Sequence, residues 1–298
     1  MTMKHIGVVG CGLMGSGIAT NLLKKAYQVH VYDINKESVQ RLAQKGAIAE
    51  DNIPSLAEKV DIMILSLPSP SLIKTVLTDC EEGAFVSMRK GSYILDMSTN
   101  DVEVTRELHA VAGHYGLAFL DCPLSGGPDG AESGTLTIMV GGNEDAFSNV
   151  LPVLESMGTN IDYIGESGSG QIVKLCNNML VGGVISLLSE ALITAEKAGV
   201  SQEKIARVFQ KGSAQTKVMD VFGPNILNRS FEEVKFSLAN MLKDMNLYRN
   251  LAEDHLISTL SSQSALQLFQ IAGIQQKGGK DSTAVYEVVR GMLEVKET

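Results

Sequence analysis

One lysine and two asparagines crowd the segment Gly168-Ser-Gly170-Gln-Ile-Val-Lys174-Leu-Cys-Asn177-Asn178. On a helix, Lys174, Asn177 and Asn178 stand at i, i+3 and i+4, so an ammonium and two amides project from one face. The flanking residues are apolar, and two adjacent asparagines are poor helix formers, so their presence points to a task rather than to propensity. A lone helical lysine normally faces solvent. Placed beside two amides in an apolar helix, it can instead take up and return a proton, while Asn178 one turn along holds the reacting molecule or the lysine in reach. Burial would favour that use by disfavouring the ammonium.

Gly10-Cys11-Gly12-Leu13-Met14-Gly15 is a G-x-G-x-x-G at the end of a first strand and the opening of a first helix. One glycine makes the tight turn, the next lets backbone approach a pyrophosphate, and the third lets helix and strand pack closely. Asp33 ends a second strand 21 residues after Gly12, matching the ~20-residue spacing of a carboxylate that accepts hydrogen bonds from an adenosine ribose. That carboxylate would repel a 2′-phosphate, and Ile34-Asn35 supply no arginine to receive one, so NAD is predicted over NADP. Lys36 either softens this preference or is a solvated helix residue.

Two further strand ends, Leu67-Pro68-Ser69 and Ser98-Thr99, fall where a cofactor would lie, although a proline just past a strand is also ordinary punctuation. In Asp121-Cys122-Pro123-Leu124-Ser125-Gly126-Gly127-Pro128 two prolines bracket Ser-Gly-Gly. The exposed N–H groups of Ser125, Gly126 and Gly127, with the Ser125 hydroxyl, can hold an anion; a plain turn is the competing reading. Farther on, Lys243 in Leu242-Lys243-Asp244-Met245 places another cation among apolar neighbours.

The elements that must position these residues follow from the hydrophobic pattern. Strands are predicted at Ile6–Val9, Val29–Tyr32, Ile62–Leu67, Tyr93–Met97, Ala118–Asp121 and Leu136–Val140, with helices Gly15–Lys25, Lys36–Lys45 and Ser71–Thr78 between the early ones. This alternation predicts a doubly wound, mostly parallel α/β sheet with ligands at the carboxyl ends of its strands. After about residue 165 helical periodicity takes over, at Gln171–Ala198, Gln202–Lys211, Leu238–Asp254 and Ser261–Lys277, with Asp281 as an N-cap for the last helix. The expectation is a Rossmann-type domain over 1–165 and an all-α domain over 166–298, joined by a long helix. The glycine-rich stretch 165–170 is either a flexible join or a tight turn into that helix.

Composition narrows the function. The chain has 298 residues and a formal charge of −9, which argues against a nucleic-acid binder or a polybasic membrane-surface protein. Its four cysteines form no CxxC pair and its histidines no HExxH, so no metal site is expected and a reduced, cytoplasmic setting is. Glycines at 7, 10, 12, 15 and 17 would break a signal-peptide helix. The apolar run Met179–Leu188 is about half the ~20 residues that span a bilayer, so no membrane association is predicted.

Together these residues resemble the β-hydroxyacid dehydrogenase family along essentially the whole chain. The resemblance rests on Gly10 to Gly15, Asp121 to Gly127, Gly168 to Asn178 and Lys243-Asp244, in that order. It implies a Rossmann-type domain followed by a helical one, and NAD(P)-dependent oxidation of a small anionic β-hydroxy acid or reduction of the aldehyde acid, with a 3-hydroxyisobutyrate-like or tartronate semialdehyde-like substrate. Lys174 falls on the family's catalytic lysine, Asn178 on its substrate-orienting asparagine, and Ser125, Gly126 and Gly127 on its substrate loop. Leu13, Met14, Asp33, Leu67, Thr99 and Lys243 match cofactor contacts. A homodimer or homotetramer is also implied. Pro128 and Asp129 depart from the usual pattern just beyond the loop and bear on the substrate's distal group. The contrasting reading is a non-catalytic dinucleotide-binding sensor or assembly module, which has no need of Lys174 and Asn178 on a buried face.

Overall fold

The computed structural model describes residues 4–292. Short apolar runs make the strands β1 (His5–Val9), β2 (Gln28–Tyr32), β3 (Ile48–Ala49), β4 (Ile62–Leu65), β5 (Tyr93–Asp96), β6 (Ala118–Asp121), β7 (Leu124–Ser125), β8 (Leu136–Gly141) and β9 (Gly158–Gly165). They form one sheet in the order β3-β2-β1-β4-β5-β6-β8-β7, with β9 paired to β8. Pairing is parallel from β3 through β6; β8 runs antiparallel to β6 and β7 and parallel to β9.

Alternate residues of one strand enter different cores. Ile62 and Ile64 pack with Ile6, Val8 and Leu95, while Met63 and Leu65 pack with Val9, Ile94 and Phe119. A sheet covered on both faces needs strands apolar at nearly every position, which is why these runs are continuous rather than alternating. β1 lies between β2 and β4, so the chain reverses its direction of travel across the sheet there and opens a crevice at the carboxyl ends.

The predicted early helices are present as Leu13–Lys24, Lys36–Ala43 and Pro70–Thr78, joined by the unpredicted Val102–His114 and Glu144–Leu154. Strand β9 was also outside the prediction. Its sequence, GTNIDYIG, is largely exposed or half-buried and so lacks the apolar signature of the inner strands.

The chain divides into two compact units, Met1–Lys174 and Leu175–Thr298, and the division falls inside one 29-residue helix, Ser169–Lys197. The change of texture near residue 165 marks the end of β9. The helix's first turn is hydrogen-bonded to the end of β6 and therefore counts with the sheet.

In the C-terminal unit the rest of that helix packs with Gln202–Phe209, Lys217–Asn228, Leu238–Asp254, Leu260–Ile274 and Val285–Gly291. Its core includes Ile185, Leu188, Leu192, Met241, Met245, Phe269 and Tyr286. The Lys217–Asn228 helix escapes the sequence pattern because Gly223-Pro224 inside it reads as a break. Asp281 accepts the Thr283 N–H at 3.1 Å and caps the 3₁₀ turn that leads into the last helix.

By length and composition the Ser169–Lys197 helix is sufficient to cross a membrane, longer than the run Met179–Leu188 suggested. Its buried side chains include Asn178, Ser186 and Ser189, and the two serine hydroxyls are bonded back to the helix. These residues lie on the face of the helix that packs inside the protein.

Candidate active site

The glycine turn after β1 is built by close contacts. Gly10 has φ +95°, and a Cβ there would lie 2.2 Å from the Ser66 carbonyl oxygen; at Gly15 it would lie 1.9 Å from the Gly10 carbonyl oxygen. Gly12 is different. A Cβ there meets no atom within 4 Å, and the residue begins the Leu13–Lys24 helix without a side-chain cap. Asn35, Asn52, Ser69, Asp101 and Asn143 each cap a helix of the same unit with a side-chain oxygen. The first turn of the Leu13–Lys24 helix thus offers N–H groups and a positive dipole end beside open space, the setting a pyrophosphate needs.

Asp33 closes this turn. One carboxylate oxygen accepts the Cys11 N–H at 2.6 Å and the other accepts the Asn35 N–H at 2.7 Å. Each oxygen retains capacity for another donor, as a ribose hydroxyl would be. The residues therefore fit a dinucleotide: an open cradle at Gly12, exposed Leu13 and half-buried Met14 beside it, and a tethered carboxylate at the end of β2. Lys36 is exposed and lies over the Tyr32 ring, 5.2 Å from its centroid. The Cys11 thiol is pushed up to about 12, first by burial and then by Asp33, and stays protonated.

At the next strand ends, the Leu67 N–H donates to the Ser98 hydroxyl at 2.9 Å, which joins the segments following β4 and β5. Pro68 is exposed, and Leu67 and Thr99 are half-buried. Ser69 caps the Pro70–Thr78 helix, so Pro68 and Pro70 also serve as the punctuation that their sequence suggests.

Ser125 ends β7, and Gly126 and Gly127 follow with φ of +127° and +63°. Both values lie where only glycine is unstrained, so the turn alone accounts for both glycines. Gly126 then opens the short Gly127–Ser133 helix without a side-chain cap.

Lys174 is 8% exposed, and its Nζ donates to the Leu124 carbonyl oxygen at 2.6 Å, immediately before Ser125-Gly126-Gly127. The predicted acid–base group and the predicted anion loop are therefore neighbours. One turn along the helix, in the C-terminal unit, Asn178 is 4% exposed and donates to Asp244 at 2.6 Å. Asn177 donates to the Asn178 amide oxygen at 3.0 Å, and Lys243 pairs with Asp244 at 3.2 Å. Asn177, Asn178, Lys243 and Asp244 form one cluster.

Sequence reasoning missed the groups behind these side chains. Asp244 was only the neighbour of Lys243, yet it is buried and holds the Asn178 amide. Asp121 opened a motif without a role. It is fully buried and accepts the N–H groups of Gly168 at 2.8 Å and Gln171 at 3.0 Å. Gln171 spans from the Asn100 N–H to the Ser98 carbonyl. Asn100 donates to Asp96, which also accepts the Ser98 N–H. Burial pushes the Asp96 carboxyl up to about 6, against the hydrogen bonds from Ser98 and Asn100, and it likewise raises Asp121. The available signal was a carboxylate closing each of two inner strands, in YILD and AFLD, where an apolar residue would be ordinary.

Residues 5–165 match the NAD binding domain of 6-phosphogluconate dehydrogenase, and residues 168–289 match the NAD-binding domain of NADP-dependent 3-hydroxyisobutyrate dehydrogenase. The chain is 35% identical over 291 residues to a probable mitochondrial 3-hydroxyisobutyrate dehydrogenase of Dictyostelium discoideum, covering 95% of this chain and 90% of the relative. It is 31% identical to 2-hydroxy-3-oxopropionate reductase of Escherichia coli, covering 98% and 99%. Among solved structures, it superposes on a Mycobacterium tuberculosis 3-hydroxyisobutyrate dehydrogenase with L-serine at a TM-score of 0.88 and 28% identity, covering 97% of this chain and all of that one.

Proposed function

The chain belongs to the β-hydroxyacid dehydrogenase family, and from that premise we propose that it interconverts a small β-hydroxy acid and its aldehyde acid with NAD as cofactor, using Lys174 as the acid–base group. The observation that carries this reading is the buried Lys174 Nζ held on the Leu124 carbonyl, next to the Ser125-Gly126-Gly127 turn.

When bound, the dinucleotide supplies the hydride acceptor or donor; Gly10, Gly12, Leu13, Met14, Gly15 and Asp33 would hold it, with Leu67, Pro68 and Thr99 beside it and Lys243 as a further contact. The remaining work falls to the chain. Oxidation of an alcohol requires its hydroxyl proton to leave, and a neutral Lys174 amine takes it; in reduction the ammonium returns a proton to the forming alkoxide. The bond to Leu124 fixes the position of Nζ, and proton transfer needs that precision. Asn178, its amide oriented by Asp244 and Asn177, holds the substrate oxygen without competing for the proton. The Ser125 hydroxyl and the N–H groups of the turn hold the carboxylate.

The relatives named 3-hydroxyisobutyrate dehydrogenase and 2-hydroxy-3-oxopropionate reductase share this demand: a carboxylate and an oxygen on the carbon two bonds away. NAD is favoured over NADP because the Asp33 carboxylate, just past the end of β2, would repel a 2′-phosphate. The exposed side chains Val173, Leu180 and Leu187, seven residues apart on the long helix, support self-association as a homodimer or homotetramer. The four free cysteines support a cytoplasmic setting.

The test is NADH formation at alkaline pH with a panel of hydroxy acids. Turnover of 3-hydroxyisobutyrate, glycerate or serine, and none with 2-hydroxy acids lacking a 3-hydroxyl, is the expected pattern. Tight NAD binding with no turnover of any of them would contradict the assignment.

A further inference from the structure

Lys174 reaches Leu124 only if the first turn of its helix is held at the right height beside the end of β6, and one side chain does this from outside the helix. Asp121, the last residue of β6, accepts the Gly168 N–H on one carboxylate oxygen and the Gln171 N–H on the other. These amides open the Ser169–Lys197 helix, where N–H groups have no partner within the helix. Three residues beyond Asp121 stands Leu124, and three beyond Gln171 stands Lys174. The same two segments are therefore fastened twice in register, by Asp121 on the Gln171 N–H and by Lys174 on the Leu124 carbonyl.

Backbone packs closely around the carboxylate. A Cβ at Gly141 would lie 2.6 Å from one of its oxygens, and a Cβ at Gly170 would lie 2.9 Å from the other and 2.4 Å from the Met139 carbonyl oxygen. Backbone approaches Asp121 from both sides, which requires glycine at 141 and 170. Gln171, fully buried, fastens the same turn to the segment after β5 through Ser98 and Asn100. A stronger hold is built here than an ordinary cap provides, since Ser, Thr or Asn at the helix start itself would satisfy one of these amides.

We infer that Asp121 is a positioning residue for the reaction: it fixes the height and rotation of the long helix's first turns and so sets where the Lys174 amine stands relative to the Ser125-Gly126-Gly127 turn. This rests on the reading of Lys174 as the acid–base group. A displacement of about 1 Å at a reacting group costs on the order of a hundredfold in rate, so loosening the clamp is expected in kcat. It is not expected in dinucleotide affinity, because Gly12 and Asp33 lie in the turns that follow β1 and β2, away from the clamp.

The experiment is a double-mutant cycle on the full enzyme with Asp121→Asn, Lys174→Ala and the pair, reading kcat, KM, NAD affinity and Tm. Asparagine keeps the shape but turns one acceptor into a donor facing an N–H. Asp121→Asn is expected to lower kcat about tenfold or more, with NAD affinity unchanged, and to cost less than about twofold further once Lys174 is alanine. A full multiplied loss in the double variant, or a parental kcat in Asp121→Asn, overturns the inference. Parental turnover in Lys174→Ala is distinguishable from both and overturns the lysine's role, and the clamp's with it. If Asp121→Asn does not yield folded enzyme, Asp121→Ser, whose hydroxyl can serve one amide, enters the same cycle with the same criteria.

Discussion

Two strand-to-helix turns in the N-terminal unit look alike in sequence and differ in what their glycines are for. Gly12 and Gly126 each begin a helix that no side chain caps. At Gly12 the backbone is extended, with φ −68° and ψ −165°, and a Cβ would meet nothing. At Gly126 φ is +127°, and a Cβ would press to 3.3 Å from Leu136. The fold needs glycine at 126 and has no need of it at 12. At Gly12 the missing side chain leaves open space beside an uncapped helix start, whereas at Gly126 the backbone alone accounts for the glycine.

That contrast can be broken by substitution. Gly12→Val should leave Tm within a degree or two of the parent and weaken NAD binding at least ~tenfold, since the side chain fills the approach of the pyrophosphate. Gly126→Ala should do the reverse, costing about 1–3 kcal/mol through backbone strain and lowering Tm while NAD affinity holds. Calorimetry and NAD titration on the two variants decide it; a stability loss at Gly12 equal to that at Gly126 would erase the distinction. Because Gly126 is strained by any side chain, Ser125→Ala is the cleaner probe of carboxylate binding in that turn.

Asp33 sharpens the first turn. Asp33→Ala removes the acceptor of the Cys11 and Asn35 N–H groups and so weakens both dinucleotides, but only NADP gains from losing the charge. The ratio of kcat/KM for NAD to that for NADP is expected to fall about tenfold, roughly 1.4 kcal/mol. A parent enzyme that already uses NADP at least as well as NAD would contradict the preference.

Asp96 gives the smallest effect. Burial raises its carboxyl from an ordinary value near 3.8 to about 6, so the folded state holds its proton more tightly than the unfolded chain. Its contribution to stability is therefore full below about pH 4 and is lost as pH rises through about 6. Asp96→Asn lacks this slope, so its Tm relative to the parent should climb between pH 4 and pH 6. A constant difference across that window would show that Asp96 does not titrate there.

How much of this could be read in the residues depends on how local each signal is. The glycine turn and the Asp33 that closes it were legible because a tight strand-to-helix turn needs particular residues at a fixed short spacing, and the inner strands because burial on both faces makes them apolar throughout. Lys174, Asn177 and Asn178 were legible as a helix face. Strand β9 was not, since an exposed edge has no apolar signature. Nor were Asp121 and Asp244: the bonds they make span 47, 50 and 66 residues, and no spacing within a motif reports a partner so far along the chain. Polar residues at motif spacing announce themselves by type, whereas the buried carboxylates that bond to them are visible only once the strands are paired.

In the proposed reaction Lys174 moves the proton. Its most direct test is kcat for Lys174→Ala beside NAD affinity measured on the same preparation. A fall in kcat of at least ~10²-fold, the lower range for general acid–base catalysis, is expected, with NAD affinity unchanged. Lys174→Arg should be equally impaired, because a guanidinium does not release its proton in this pH range. Near-parental turnover in Lys174→Ala would show that another group moves the proton.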